Sequence, residues 1–85
     1  MIQPVIRYRS LKKLEVINLC SGAKLGRICD LEIDLTLGKI QAIFVPGKSS
    51  FISCLFKDKK NEIRIPWHEI QRIGDDTILV QIADR

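Results

Sequence analysis

The sequence predicts a mainly β fold, a small barrel-like domain of about six strands with one short helix in its C-terminal third. Three observations carry this. Gly and Pro punctuate the chain at intervals of about eight to twelve residues, the rhythm of short strands and turns. Apolar and polar residues alternate in several runs, most clearly in "RICDLEIDL", as on a strand with one dry face. Nothing shows the longer strand-helix-strand spacing of a parallel sheet.

The elements follow in order. Residues 1–10 read as an N-terminal arm of a single domain covering 1–85. "SLKKLEV" predicts one helical turn with Ser10 as its N-cap. "EVINLC" is a first strand, and "SGAKLG" a turn in which Gly26 supplies a backbone exception. In "RICDLEIDL" Cys29, Leu31, Ile33 and Leu35 face one way and Asp30, Glu32 and Asp34 the other. Ile28 falls on the acidic side and breaks the pattern, as a bulge beside Gly26 or a partly covered second face would allow. Asp34 and Gly38 suit the next turn, since Asp side chains bond nearby backbone and Gly tolerates positive φ. "KIQAIFV" is a third strand, stopped by Pro46 and Gly47. "SSFISCLF" is a fourth and "EIRIPW" a fifth. "PWHEIQRIG" predicts the short helix, with Trp67, Ile70 and Ile73 spaced by three and Gly74 at its end. "TILVQI" is the last strand.

The chain has 85 residues, 46% hydrophobic and 28% charged, with a formal net charge of +4. One domain of this size has a thin core and little room for a deep catalytic cleft. Arg7, Arg9, Lys12 and Lys13 make the first third basic, with Lys24 and Arg27 beyond them. Lys57, Lys59 and Lys60 form a second cluster. Such patches attract phosphate backbones, and they also keep small proteins soluble. The start of the chain lacks the long apolar core of a signal peptide or membrane anchor. Cys20, Cys29 and Cys54 are odd in number and contain no CxxC, which points to free, mostly buried thiols in a reducing compartment. Together these place the protein in the cytoplasm, with no membrane insertion.

Candidate chemistry is sparse. Asp30, Glu32 and Asp34 lie on one strand face, but i, i+2 and i+4 spread over roughly 13 Å. A hard cation needs convergent oxygens, usually from a loop, so the row reads as a solvated face. Cys20, Cys29, Cys54 and His68 lack the paired-knuckle spacing of a structural zinc site. No local motif supports a Cys-His nucleophile. Trp67 reads as a plug over one end of the core, or as an interface anchor. The strands Ile40 to Val45 and Phe51 to Phe56 are apolar on both faces. Their outer faces need a cover, so a homodimer is expected with Ile43, Val45 or Ile52 near the contact.

In order along the chain, "EVINL…GAKLGRICDLEIDLTLGKIQAIFVPG" and "IPWHEIQRIGDDTILV" resemble the PRC-barrel superfamily. Within it the chain is most similar to the small sporulation-associated YlmC/YmxH family of spore-forming Gram-positive bacteria. The resemblance runs from about Leu11 to Ile82. It rests on Gly26 followed by Asp30, the Asp34 to Gly38 turn, "VPG" at Val45 to Gly47, and "IPW…I..IG.D" from Ile65 to Asp76. The three cysteines stand outside that pattern. The resemblance implies a small open or closed β-barrel. It also implies an assembly or docking role, as in the cytoplasmic domain of the photosynthetic reaction-centre H subunit and the C-terminal domain of the ribosome-maturation factor RimM. The expected function is therefore a non-enzymatic protein–protein interaction or assembly module linked to sporulation, without catalytic residue, cofactor or metal. The alternative is an RNA- or ribosome-associated factor using the basic first third. A small metal-binding protein is the more distant one.

Overall fold

The computed structural model describes residues 5–47 and 62–83. The expected fourth strand, with Phe51, Ile52, Cys54 and Phe56, lies outside the described residues, as do Lys57, Lys59 and Lys60. Among those described, one helical turn, α1 (Tyr8–Leu11), precedes seven strands: β1 (Glu15–Asn18), β2 (Lys24–Gly26), β3 (Asp30–Asp34), β4 (Lys39–Val45), β5 (Ile63–Pro66), β6 (Ile70–Ile73) and β7 (Thr77–Val80). They form two sheets, ordered β2-β1-β7-β6 and β3-β4-β5. β1 and β7 run parallel, and the other pairs are antiparallel. The fold is mainly β, as the sequence predicts.

The core lies between the sheets. Val16, Ile78 and Val80 come from one sheet and Ile43, Val45 and Ile65 from the other, all fully buried. Leu11 adds the dry side of α1, Leu14 joins from the turn that follows it, and Ile28 from the link between β2 and β3. Ile28, which breaks the alternation in the sequence, is thus a core residue. Burying each such side chain stabilises the fold by about 1.5–3 kcal/mol.

Three elements differ from expectation. The helix expected over Trp67 to Ile73 is a 3-10 turn, Trp67–Glu69, followed directly by β6. Ile70 has φ −77° and ψ 120°, which is extended backbone. The three-residue spacing of Ile70 and Ile73 has another cause. Ile70 pairs with Val80 and Ile73 with Ile78, while the register shifts between Ile70 and Arg72. The extra residue, Gln71, lets positions three apart face the same side of a strand. The second difference is β2, which occupies part of the expected "SGAKLG" turn. It is three residues long and pairs with β1 across another register shift. The helical turn also starts earlier than expected, with Arg7 rather than Ser10 at its N-cap position.

Ile43 and Val45, expected near a dimer contact, are fully buried in the chain's own core. Their side chains are therefore not on this chain's surface. The other face of β4 carries Ala42 and Phe44. Ala42 pairs with Glu32 on one side and Pro66 on the other. Glu32 reaches diagonally across this face to Arg64 of β5 in a two-pronged pair, Nε to Oε1 at 3.1 Å and Nη2 to Oε2 at 2.7 Å. Ala42, between them, is also fully buried.

The cysteines correct a further expectation. Cys29 is disulfide-bonded. Cys20 is free but exposed, not buried.

Candidate functional site

The acidic row does not converge. Asp30 Oδ1 accepts from the Leu31 amide at 2.8 Å. Glu32 is held by Arg64. Asp34 Oδ1 accepts from the amides of Thr36 and Leu37 at 2.9 and 3.0 Å. Each carboxylate is engaged in a different structural task. Among the described residues, no group of three or more His, Cys, Asp or Glu is placed to hold a metal ion.

Asp34 builds a turn that presents apolar side chains to water. Its main-chain carbonyl also accepts from the Gly38 amide at 2.7 Å, and Gly38 has φ +66°. The turn is therefore closed by three hydrogen bonds that one residue accepts and by a glycine in the left-handed region. It projects Leu35, 90% exposed, and Leu37, 65% exposed, with Ile33 at 54% beside them on β3. Alternation in the sequence puts Ile33 and Leu35 on the dry face. Ile33 does keep that side of the strand, but the core does not reach this far along the hairpin. The register shift opposite Glu32 and Ile33 leaves Gln41 as an extra residue on β4. Below the tip, Asp34, Leu37, Lys39, Ile40 and Gln41 line a shallow depression. Three large aliphatic side chains are thus exposed on or beside a turn whose backbone is fixed by hydrogen bonds.

The remaining residues singled out in the sequence are dispersed. Gly26 has φ +91° and Gly47 φ +72°. The Gly47 amide donates to the Leu25 carbonyl at 3.0 Å, so the end of β4 is tied to β2, with buried Pro46 against Gly26. Gly74 has ordinary φ, and its amide donates to the Thr77 carbonyl at 2.8 Å in the β6–β7 turn. Trp67 is half-buried against the core. Arg7, Arg9, Lys12 and Lys13 are exposed around α1. His68 is exposed on the 3-10 turn. No helix among the described residues is long and apolar enough to cross a membrane. Sequence reasoning missed the hairpin tip. The available signal was two leucines between Asp34 and Gly38, in a turn where polar residues are the rule.

The Glu32–Arg64 pair gives a pH prediction. The hydrogen bond from Arg64, helped by its charge, holds the Glu32 carboxyl below its ordinary value against the opposing effect of desolvation. A depressed folded-state value adds stability above the unfolded value and loses it as pH falls through the folded one. Both ends are exposed, so the contribution is small. Glu32→Gln should be slightly less stable than wild type at neutral pH, and the difference should vanish in acid. Thermal unfolding at a series of pH values checks this; a gap that widens on acidification contradicts it.

The sequence pattern of the PRC-barrel domain family matches residues 4–84. The chain is 43% identical over 70 residues to "Probable sporulation protein YlmC" of Bacillus subtilis, covering 82% of this chain and 84% of that protein. It is 45% identical over 71 residues to an uncharacterized protein of Clostridium acetobutylicum, covering 84% of this chain and 78% of the other. It is 31% identical over 81 residues to the uncharacterized protein YmxH of Bacillus subtilis, covering 93% and 92%.

Proposed function

The chain belongs to the PRC-barrel family, and from that membership we propose that it is a non-enzymatic, cytoplasmic protein-docking module linked to sporulation, with the β3–β4 hairpin as its contact surface. The sporulation context is taken from the printed name of the relative YlmC. The observation that carries the docking reading is the exposure of Leu35, Leu37 and Ile33 on a turn fixed by Asp34 and Gly38. An apolar tip held in one conformation loses little entropy on binding, because its backbone is ordered beforehand. The tip's aliphatic side chains have no chemistry to offer a substrate and considerable area to offer a partner.

Leu35→Ser with Leu37→Ser tests the reading. Both side chains stand in water, so folding stability should change by less than about 0.5 kcal/mol. Partner retention should fall at least about tenfold if these leucines anchor the contact. The measurement is a comparison of proteins retained from sporulating cells by wild type and by the double variant, followed by an affinity for the retained protein in purified form. Equal retention by the two forms would remove the hairpin from the proposal. Sedimentation of both forms over a wide concentration range shows whether a second copy of the chain is the partner.

A further inference from the structure

We propose that the segment Val5–Lys13 docks the protein on the surface of an anionic lipid bilayer. Two kinds of side chain meet there. Arg7, Arg9, Lys12 and Lys13 are exposed, and none has an acidic partner within salt-bridge distance among the described residues. Interleaved with them, Val5 is 92% exposed, and Ile6 and Tyr8 are exposed as well. Free cations beside bare aliphatic side chains are the two signals that hold a protein reversibly at a lipid interface.

The local fold sets the orientation. Leu11 and Leu14 are buried and pin the helical turn to the core. At 3.6 residues per turn, Arg9 then lies on the side of α1 opposite Leu11, and Lys13 is exposed just past its end. Tyr8 and Lys12 flank them, with the Lys12 ammonium 5.2 Å from the Tyr8 ring centre. The Ser10 and Leu11 amides both donate to the Arg7 carbonyl, at 3.0 and 2.9 Å, so this presentation is ordered. Two acids border the segment. Asp75 lines a depression together with Val5, Ile6, Ile73 and Gly74, and Asp30 is close enough to influence the Tyr8 phenol. They leave the face formed by Arg9 and Lys13 cationic.

The choice between polyanions follows from the aliphatic groups. An RNA backbone would use the cations but leave Val5 and Ile6 in water, and RNA readers add aromatic stacking platforms. The one aromatic here, Tyr8, has its ring beside Lys12. A bilayer interface accepts both the cations and the aliphatic groups. Each Lys or Arg near an anionic surface strengthens binding by roughly fivefold at moderate salt.

Co-sedimentation with vesicles tests the proposal, using the whole chain. Vesicles of phosphatidylcholine alone are compared with vesicles that also contain phosphatidylglycerol, and a single-stranded RNA oligonucleotide serves as competitor. Wild type should pellet with the anionic vesicles only and be released by salt. Arg9→Gln with Lys13→Gln should weaken binding by roughly 25-fold. Val5→Ser with Ile6→Ser should weaken it several-fold without altering the unfolding midpoint. The proposal is overturned if anionic vesicles are not bound at low salt. It is overturned equally if the Val5/Ile6 variant binds as wild type does, or if RNA binds more tightly than the vesicles.

Discussion

Gly26→Ala should lower folding stability by about 2–5 kcal/mol, the sum of a backbone cost and a packing cost. The backbone cost comes from φ +91°, a region that residues with a Cβ rarely enter; it accounts for about 1–3 kcal/mol. The packing cost is separate. A Cβ at this position would lie 2.7 Å from Cγ of Pro46 and 3.1 Å from its Cδ. Pro46 is fully buried, and its ring has no rotamer by which to move aside. Forcing the two apart would strain the Gly47-to-Leu25 hydrogen bond that ties β4 to β2. Gly38→Ala is the control. Its φ of +66° is also positive, but a Cβ there meets nothing within 4 Å, so only about 1–2 kcal/mol is expected. For a chain of this size each kcal/mol shifts the unfolding midpoint by about 4–8 °C. Urea unfolding of the two variants measures the difference directly. Equal losses would mean that the Pro46 contact contributes nothing.

The same pair shows what the sequence makes legible. Glycines at turns are visible because their neighbours are turn formers, and "VPG" marks the end of a strand. That Gly26 and Pro46 touch is a fact of topology, which no local pattern encodes. β1, β3, β4, β5 and β7 are readable for the same local reason: each is a short apolar-rich run bounded by turn formers. β6 is not, because Gln71 inserts one residue and turns a period of two into a spacing of three, the signature of a helix. β2 is missed because three residues hold too little pattern to weigh against two flanking glycines. At the hairpin the alternation of β3 is real, but its extrapolation fails. A dry face needs an opposing layer, and Ile33 and Leu35 run past it. The basic segment was readable from composition, whereas its nearness to Asp75 depends on the return of the chain through β6. Ile43 and Val45 illustrate the converse. Two apolar faces suggest a cover from outside the chain, yet Ile43 and Val45 belong to the chain's own core, and the other face of β4 carries the Glu32–Arg64 pair.

Asn18→Ala should cost about 2–4 kcal/mol, because buried polar groups that lose a partner carry about 1–3 kcal/mol each. Asn18 is the one buried polar side chain among the described residues. Its Nδ2 donates to the Ile82 carbonyl at 3.3 Å, and its Oδ1 accepts from the Ile82 amide at 3.3 Å. Oδ1 also accepts from the Cys20 amide at 3.1 Å. The side chain thus completes the main-chain bonding of a segment 64 residues away, just beyond β7. Its own main chain closes the next turn, with the Gly22 amide donating to its carbonyl at 2.7 Å. Alanine would leave the Ile82 amide and carbonyl unpaired beside a small void. Cys20 is exposed and its amide can turn to water, so most of the loss should sit at Ile82. Hydrogen exchange locates it: the Ile82 amide should lose protection first, and Val80 on β7 should follow only with global unfolding. Asn18→Asp sharpens the test. The carboxylate keeps the acceptor but faces the Ile82 carbonyl without a donor, so the variant should be less stable than wild type at neutral pH. Burial favours the protonated acid, whose hydroxyl restores a donor. A raised folded-state value means that protonation favours the folded form, so the deficit relative to wild type should shrink as pH falls. A deficit that is constant with pH would show that the side chain of residue 18 does not face Ile82.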